Sequence, residues 1–182
     1  ARRNNKAAYA IAIGMPQPMP NSWRDYGVDF DGDGKVDLRN NTADVIGSVA
    51  HFLQQKGGWI ANEPVVYNVE YLNDHPKLKE LLEKPIQPSL TLRQINEYGV
   101  GSDAAIKPDA KLSLIDLPNG DKATLYVLGS QNFYAITRYN KSYMYAMSVY
   151  ELGTSVMSAR GSSSKTISSK PASKSATKVK MK

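Results

Sequence analysis

The feature that most constrains this chain is a short acidic stretch, DFDGDGKVD, which begins at residue 29. It carries carboxylates at alternate positions, Asp29, Asp31 and Asp33, and then turns at Gly34. In the twelve-residue calcium loop, positions 1, 3 and 5 supply side-chain oxygens, position 6 is a glycine and position 7 supplies a backbone carbonyl. The stretch fills these positions in order, with Lys35 at the seventh. It therefore predicts a site for calcium.

The exit of the loop departs from that pattern. Asn40 stands at the twelfth position, where a bidentate glutamate is expected, and Asp44 follows four residues later as a candidate late ligand. A solvated acidic turn is the alternative, because Asp-Gly pairs form turns without a metal. Closely spaced aspartates repel one another when no cation lies between them, however, and this repulsion favours the calcium site.

Composition excludes several kinds of site and partner. The chain has 182 residues, which suits one globular domain or a domain with an appendage, and it has no cysteine. Thiolate metal sites and thiol nucleophiles are therefore excluded within it. No apolar run approaches the ~20 residues that span a membrane. Much of the net charge of +6 lies near the end of the chain, so no specific nucleic-acid partner is expected.

Hydrophobic spacing and turn residues predict a mixed α+β chain. Pro16, Pro18 and Pro20 predict an extended path, after which Trp23 and Tyr26 are expected to pack beneath the acidic loop. The predicted elements are a helix that Thr42 caps and Gly57-Gly58 ends, a β segment over 63–72, short helices over 76–83 and 90–98, a hairpin over 111–117 and 123–128 about Asn119-Gly120, and a helix over 143–160 with Tyr145, Val149, Leu152 and Val156 on one face.

The chain is expected to divide into four parts. Residues 1–62 hold the proline-rich segment, the acidic loop and the first long helix, and residues 63–130 form a small mixed β subdomain. Residues 131–160 are expected to belong to the same domain as residues 1–62. Residues 161–182 are rich in serine and lysine and are expected to be disordered, because they have too little apolar surface to bury. This basic tail is expected to make only weak contact with anionic surfaces.

Three segments together resemble one enzyme family. They are residues 9–23 (YAIAIGMPQPMPNSW), residues 28–38 with 44–52 around the acidic loop, and residues 132–140 (NFYAITRYN) with 145–147. In this order they resemble the B-type lytic murein transglycosylases, which carry a substrate loop, an EF-hand-like calcium site and a C-terminal NFYxITRYN signature. The resemblance implies a mainly helical, lysozyme-like half-domain of α+β class with a small antiparallel β insertion.

The resemblance also implies an activity. The family cleaves the β-1,4 bond between N-acetylmuramic acid and N-acetylglucosamine in peptidoglycan and leaves a 1,6-anhydromuramoyl end. One carboxylic acid protonates the leaving oxygen and then helps the C6 hydroxyl to attack. In the family this acid is a glutamate that lies upstream of the substrate loop. None of the eight residues before Tyr9 in this chain is acidic. No catalytic residue is therefore assigned, and the chain alone is expected to be an inactive periplasmic monomer from a Gram-negative envelope.

Individual residues match the family's binding positions. Gln17 matches the glutamine of the substrate loop, Phe52 stands where a cleft tyrosine is frequent, and Tyr139 and Asn140 match the C-terminal signature. All four are expected to contact glycan. The implied calcium ligands are Asp29, Asp31, Asp33, the Lys35 carbonyl and Asp44, and no organic cofactor is implied. The chain departs from the family pattern at Ala8, Ile11 and Pro18.

Structural alternatives exist for several of these residues. Gln17 could cap a turn, and Asn140 or Ser142 could be the N-cap of the last helix. Arg138 could pair with Asp116 or Glu151 instead of contacting glycan. His51 is expected to be a packed residue of its helix and not a metal ligand.

Two further functions compete with the transglycosylase reading. The chain could be a calcium-stabilised module that binds peptidoglycan without cutting it. Alternatively, it could be a calcium-structured domain whose basic tail contacts anionic lipid or nucleic acid.

Overall fold

The computed structural model describes residue 16 and residues 20–160. Within this part of the chain there are six helices and five strands. In chain order they are α1 (Pro20–Tyr26), α2 (Thr42–Gln55), β1 (Val66–Asn68), β2 (Tyr71–Leu72), α3 (Leu78–Leu82), α4 (Leu92–Asn96), β3 (Val100–Gly101), β4 (Ser113–Asn119), β5 (Lys122–Gly129), α5 (Gln131–Tyr139) and α6 (Tyr143–Ala159). The predicted α+β class is confirmed. The expected basic tail lies outside the described residues.

Helix α2 begins and ends with well-defined caps. The side chain of Asn41 accepts hydrogen bonds from the backbone N–H groups of Ala43 and Asp44, so Asn41 is the N-cap. The prediction that Thr42 caps this helix was wrong by one residue. At the other end, Gly58 has a φ of 69° and donates to Gln54, which is the left-handed closure that glycine favours.

The proline-rich segment also ends differently from the prediction. Helix α1 begins at Pro20, a position where proline is tolerated because the first N–H groups of a helix have no intrahelical acceptor. The chain is therefore helical from the last of the three prolines onward. Helix α5 was not predicted either. It lies between β5 and α6 in the chain.

The larger sheet is antiparallel and has the strand order β1-β5-β4. The predicted hairpin supplies the central strand β5 and the edge strand β4, with Asn119 paired to Lys122 and Gly120 at a φ of 59° in the turn. Strands β2 and β3 form a second, two-stranded antiparallel sheet. Short helices α3 and α4 lie near the predicted positions, and Thr91 forms a capping box with Gln94 at the start of α4.

The hairpin carries buried side chains on both faces, because successive residues of a strand point in opposite directions. On one face, Ile115 and Val127 join a core that includes Phe133 of α5 and Ala146 of α6. On the other face, Leu128 joins a second core, whose remaining buried residues are Leu81, Ile95, Val100, Leu112 and Leu114.

Helix α6 packs through a different face from the one singled out in the sequence. Ala146 is buried, and Met147 and Tyr150 pack beside it against the first core. The predicted apolar face is exposed among the described residues; its members are Tyr145, Val149, Leu152 and Val156. The helix is apolar around most of its circumference, so spacing alone did not identify the packed side. Over the described part of the chain, none of the helices has the length and apolar character needed to cross a bilayer.

Candidate functional site

A cavity of about 220 Å³ opens between α1, α2 and the end of α5. Among the described residues, its lining is mainly apolar and aromatic and includes one charged side chain, that of Arg138. The lining residues are Pro16, Ser22, Trp23, Tyr26, Gly27, Leu38, Ser48, Val49, Phe52, Arg138 and Tyr139. A concave apolar site with few polar groups is the usual form of a ligand pocket.

Three aromatic rings from three helices form one wall of the cavity. The ring centroids of Tyr26 and Phe52 are 5.1 Å apart, and those of Phe52 and Tyr139 are 5.4 Å apart. Both pairs meet edge to face, with interplanar angles of 78° and 85°. The structure thus brings together Phe52 and Tyr139, which are far apart in the sequence. Their role in binding stays a prediction.

Tyr139 is the last residue of α5 and is half-buried. Its hydroxyl donates to the carbonyl oxygen of Pro16. Burial raises the pKa of Tyr139 above its ordinary value of 10.0, and the neighbouring Tyr145 raises it further. The phenol is therefore neutral at physiological pH and acts as a hydrogen-bond donor.

Of the other two predicted glycan contacts, Asn140 is not among the residues that line this cavity. Asn140 is exposed and is the C-cap of α5, and its side-chain oxygen accepts from the backbone N–H of Ser142. Ser142 itself is the N-cap of α6, so one of the two predicted caps is confirmed. Gln17 lies outside the described residues.

Sequence reasoning missed two cavity residues. Trp23 and Tyr26 were expected beneath the acidic loop and were not assigned to a binding site, and the structure shows that both line the cavity. They are three residues apart on α1 and therefore share a face of that helix. The signal that could have found them was Pro20, because a proline in the first turn permits a helix that places both rings on one side.

His51 behaves as expected for a packed residue. Its Nδ1 atom lies 3.1 Å from the carbonyl oxygen of Tyr26, and its ring meets the Tyr26 ring edge to face. This contact joins α2 to the end of α1.

In the acidic loop, backbone N–H groups point toward the aspartates. The carboxylate of Asp29 accepts from the backbone of Gly32 at 2.7 Å, Asp33 at 3.1 Å and Gly34 at 2.7 Å. Asp31 accepts from the side-chain amide of Asn41 at 2.7 Å. The loop is therefore folded around its own carboxylates.

Asp44 connects this loop to α2. Its side chain is fully buried, and its two oxygens accept from the backbone N–H groups of Phe30 and Asp37, each at 2.8 Å. Ligand atoms of Asp29, Asp31 and Asp44 all lie within 4.8 Å of one another. Asp44, which lies outside the nine-residue motif, is thus brought to it by the fold.

Two other polar residues of the loop are placed differently. The carboxylate of Asp33 is not in that cluster and accepts from the backbone of Lys35 at 2.9 Å. Asn40, at the twelfth position, donates to Asp37 instead of reaching the cluster. Hydrogen bonds from the Asn40 side chain and from the Arg39 and Asn40 backbone lower the pKa of Asp37.

The chemistry of the cluster fits a hard divalent cation. Its donors are carboxylate oxygens, which calcium prefers. Among the described residues, no lysine or arginine forms a salt bridge with Asp29, Asp31 or Asp44. A bound cation would balance a group of negative charges, one of which is shielded from water.

Comparison with known proteins agrees with the resemblance found in the sequence. The family described as a transglycosylase SLT domain matches residues 1–154. The membrane-bound lytic murein transglycosylase B of Escherichia coli is 34% identical over 157 residues, which are 86% of this chain and 41% of that protein.

Solved structures give the same result. The catenated lytic transglycosylase SltB1 from Pseudomonas aeruginosa superposes with a TM-score of 0.73 and 41% identity over 84% of this chain and 49% of that one. The lytic transglycosylase Slt35 of Escherichia coli, in complex with calcium, superposes with a TM-score of 0.70 and 34% identity, over 82% of this chain and 45% of that one. SltB3 from Pseudomonas aeruginosa, in complex with NAG-NAM-pentapeptide, superposes with a TM-score of 0.64 and 33% identity, over 80% of this chain and 38% of that one.

The chain spans less than half the length of these relatives, and the similarity covers most of the chain itself. The mixed arrangement of helices and a small antiparallel sheet matches the lysozyme-like fold of the lytic transglycosylases. On this evidence, the chain belongs to the transglycosylase SLT domain family.

Proposed function

We propose that this chain forms one side of the substrate cleft of a lytic transglycosylase that cleaves the MurNAc–GlcNAc bond of peptidoglycan. The aromatic cavity at the junction of α1, α2 and α5 carries the proposal, because flat rings and a few donors suit a sugar ring. The name of the E. coli relative and the pentapeptide complex of SltB3 support peptidoglycan as the partner. The site of action would be the bacterial periplasm.

In this proposal the residues of the chain bind and orient the glycan. Phe52 and Tyr139 would contact the apolar face of a sugar. The Tyr139 hydroxyl oxygen would accept a hydrogen bond from a sugar hydroxyl, because its own hydrogen is donated to Pro16. Gln17 and Asn140 would add polar contacts at the edge. The reaction needs a carboxylic acid to protonate the leaving oxygen, and no aspartate or glutamate lines this cavity. The chain alone is therefore expected to bind peptidoglycan without cleaving it.

The test is a pull-down with purified sacculi, combined with analysis of released muropeptides. Wild-type protein should sediment with sacculi, and Tyr139→Ala should lose most of that binding. Tyr71→Ala is the matched control, because Tyr71 is 47% exposed on β2 and does not line the cavity. Release of anhydromuropeptides by the isolated chain would contradict its assignment as inactive, and failure to bind sacculi would overturn the proposed partner.

Calcium binding is a second proposal, carried by the cluster of Asp29, Asp31 and Asp44. These side chains, with Asp33 and the Lys35 carbonyl, would hold one ion that fixes the acidic loop to α2. The calcium complex of the relative Slt35 supports the choice of metal. The ion would be structural, since the cluster and the aromatic cavity have no lining residue in common.

The calcium proposal predicts a metal-dependent stability. Adding calcium should raise the melting temperature, and a chelator should reverse the increase. Asp44→Asn should abolish the response and cost about 1.5–3 kcal/mol, because one oxygen that accepts a backbone N–H is replaced by a donor. Asp121→Asn, in the exposed turn of the hairpin, should respond like wild type. A melting temperature that calcium does not change would show that the loop is only a turn.

A further inference from the structure

Arg138 is the charged residue among the described residues that line the aromatic cavity. Arg138 precedes Tyr139 on α5, and its guanidinium carbon lies 4.1 Å from the ring centroid of Tyr134. One Nη2 hydrogen is donated to the hydroxyl of Thr137 at 3.1 Å. Stacking on the ring and this hydrogen bond hold the planar guanidinium group in one orientation.

No aspartate or glutamate among the described residues pairs with Arg138. All 17 aspartate and glutamate residues of the sequence lie between residues 25 and 151, which the structure describes. None of them forms a salt bridge with Arg138. The two sequence-based candidates, Asp116 and Glu151, are thus not its partners, and that structural alternative was wrong.

One donor of the Arg138 side chain is unsatisfied among the described residues. Its Nε–H is enclosed and has no acceptor among the described residues, and a buried unpaired donor lowers stability. Apart from the bond of Nη2 to Thr137, no described residue accepts a hydrogen bond from the guanidinium, whose N–H groups form a fork that matches the two oxygens of a carboxylate. An arginine that is fixed, lacks a counter-charge and lines an aromatic cavity is suited to recognise an anion.

On the basis of the proposed function, we infer that Arg138 is a specificity-determining residue that binds a carboxylate of the peptidoglycan strand. The glycan rings themselves are neutral. The negative charge of the strand comes from the carboxyl groups of the peptide stem, or from the lactyl group of muramic acid where the stem has been removed. Arg138 would read this charge beside the sugar ring that contacts Tyr139.

The experiment compares charged and neutral forms of one ligand. Binding of NAG-NAM-pentapeptide is measured by calorimetry, before and after its carboxylates are converted to amides. Amidation should weaken binding to the wild type about tenfold or more, which is the effect of losing one charge-assisted hydrogen bond. Peptide-free NAG-NAM, which keeps only the lactyl carboxylate, distinguishes the two sources of charge.

Three variants locate the effect. Arg138→Gln should bind both forms with the same weak affinity, and Arg138→Lys should fall between it and the wild type, since lysine keeps the charge without the planar fork. Arg93→Gln, an exposed arginine on α4, should behave as wild type. The Arg138 Nε–H resonance should shift with the acidic ligand only, a readout on the wild type that does not require a variant to fold.

The outcomes separate this inference from the proposed function. If the wild type binds the acidic and amidated forms equally well, the assignment of Arg138 is overturned while glycan binding stands. If Arg138→Gln still prefers the acidic form, another cation reads the carboxylate and the assignment is again wrong. If no form binds the wild type, the proposed function itself fails.

Discussion

Tyr139 is the residue at which the fold and the candidate site meet. It packs against Phe52 of α2, and its hydroxyl donates to Pro16, more than one hundred residues earlier in the chain. One side chain thus joins the start of the described structure to the end of α5. Its neighbour Arg138 also lines the cavity, so two consecutive residues contribute an aromatic ring and a charge to it.

The raised pKa of Tyr139 predicts how stability depends on alkaline pH. The folded state holds the proton above the ordinary value of 10.0, so this stabilising contribution is complete below pH 10. As the pH rises through the ordinary value toward the folded pKa, the unfolded state ionises first and stability is lost. Denaturant unfolding at pH 8 and pH 11 measures this loss.

Tyr139→Phe isolates the contribution of this hydroxyl. At neutral pH the variant should be about 1 kcal/mol less stable, because the hydrogen bond to Pro16 is lost. Its decline between pH 8 and pH 11 should be smaller than that of the wild type. Tyr71→Phe, on the exposed edge of β2, serves as the control. An equal alkaline decline in wild type and Tyr139→Phe would contradict the prediction.

Among the elements, α2 connects the candidate metal centre to the cavity. It carries Asp44 in its first turn and Phe52 three residues before its end, and its side chain Ser48 accepts from the backbone of Val28 at the loop entrance. The geometry of both sites therefore depends on where this helix begins and ends. Its closure at Gly58 is consequently a position that can be tested.

Gly58→Ala should destabilise the protein by about 1–2 kcal/mol. The φ of 69° is unfavourable for an L-residue, and an added Cβ would lie 3.1 Å from the side-chain nitrogen of Gln131. Gly153→Ala, in the exposed middle of α6, should instead stabilise by about 0.5–1 kcal/mol, since its Cβ would meet nothing and alanine favours helix. Chemical denaturation checks both values, and equal effects of the two substitutions would contradict the prediction.

At the scale of the whole molecule, the β4–β5 hairpin contributes to both buried cores. Side chains on one face pack with α5 and α6, and those on the other pack with α3 and α4. Removing a side chain from either face should therefore weaken the same structure. The expected division at residues 63–130 stays a prediction, and cooperativity of unfolding bears on it directly.

Ile115→Ala and Leu128→Ala test this coupling from the two faces. Each residue is at most 2% exposed, and each substitution should cost about 2–5 kcal/mol through the cavity it leaves. Both should lower the midpoint of one shared calorimetric transition. Leu125→Ala, which is 42% exposed on β5, should change stability by less than about 0.5 kcal/mol. Two separate transitions, each sensitive to one variant, would instead indicate independent units.

Local signals in the sequence were sufficient for the hairpin, the approximate positions of the long helices and the family. Each depends on residues that are close in the chain, such as Asn119-Gly120 in the turn or the NFYAITRYN signature. The alternation of aspartates likewise indicated the acidic loop, because its geometry depends on consecutive residues. Asp44, which the structure places in the cluster, could be named as a candidate ligand from the sequence because it lies only 15 residues after Asp29.

Contacts between distant segments were decided only by the tertiary structure. The packed side of α6 depends on which core it meets, and its sequence is apolar nearly all around, so no period selects that side. The wall of Tyr26, Phe52 and Tyr139 needs three helices to meet at their ends. That no described aspartate or glutamate pairs with Arg138 is a property of the fold, because it depends on where all 17 of these side chains lie.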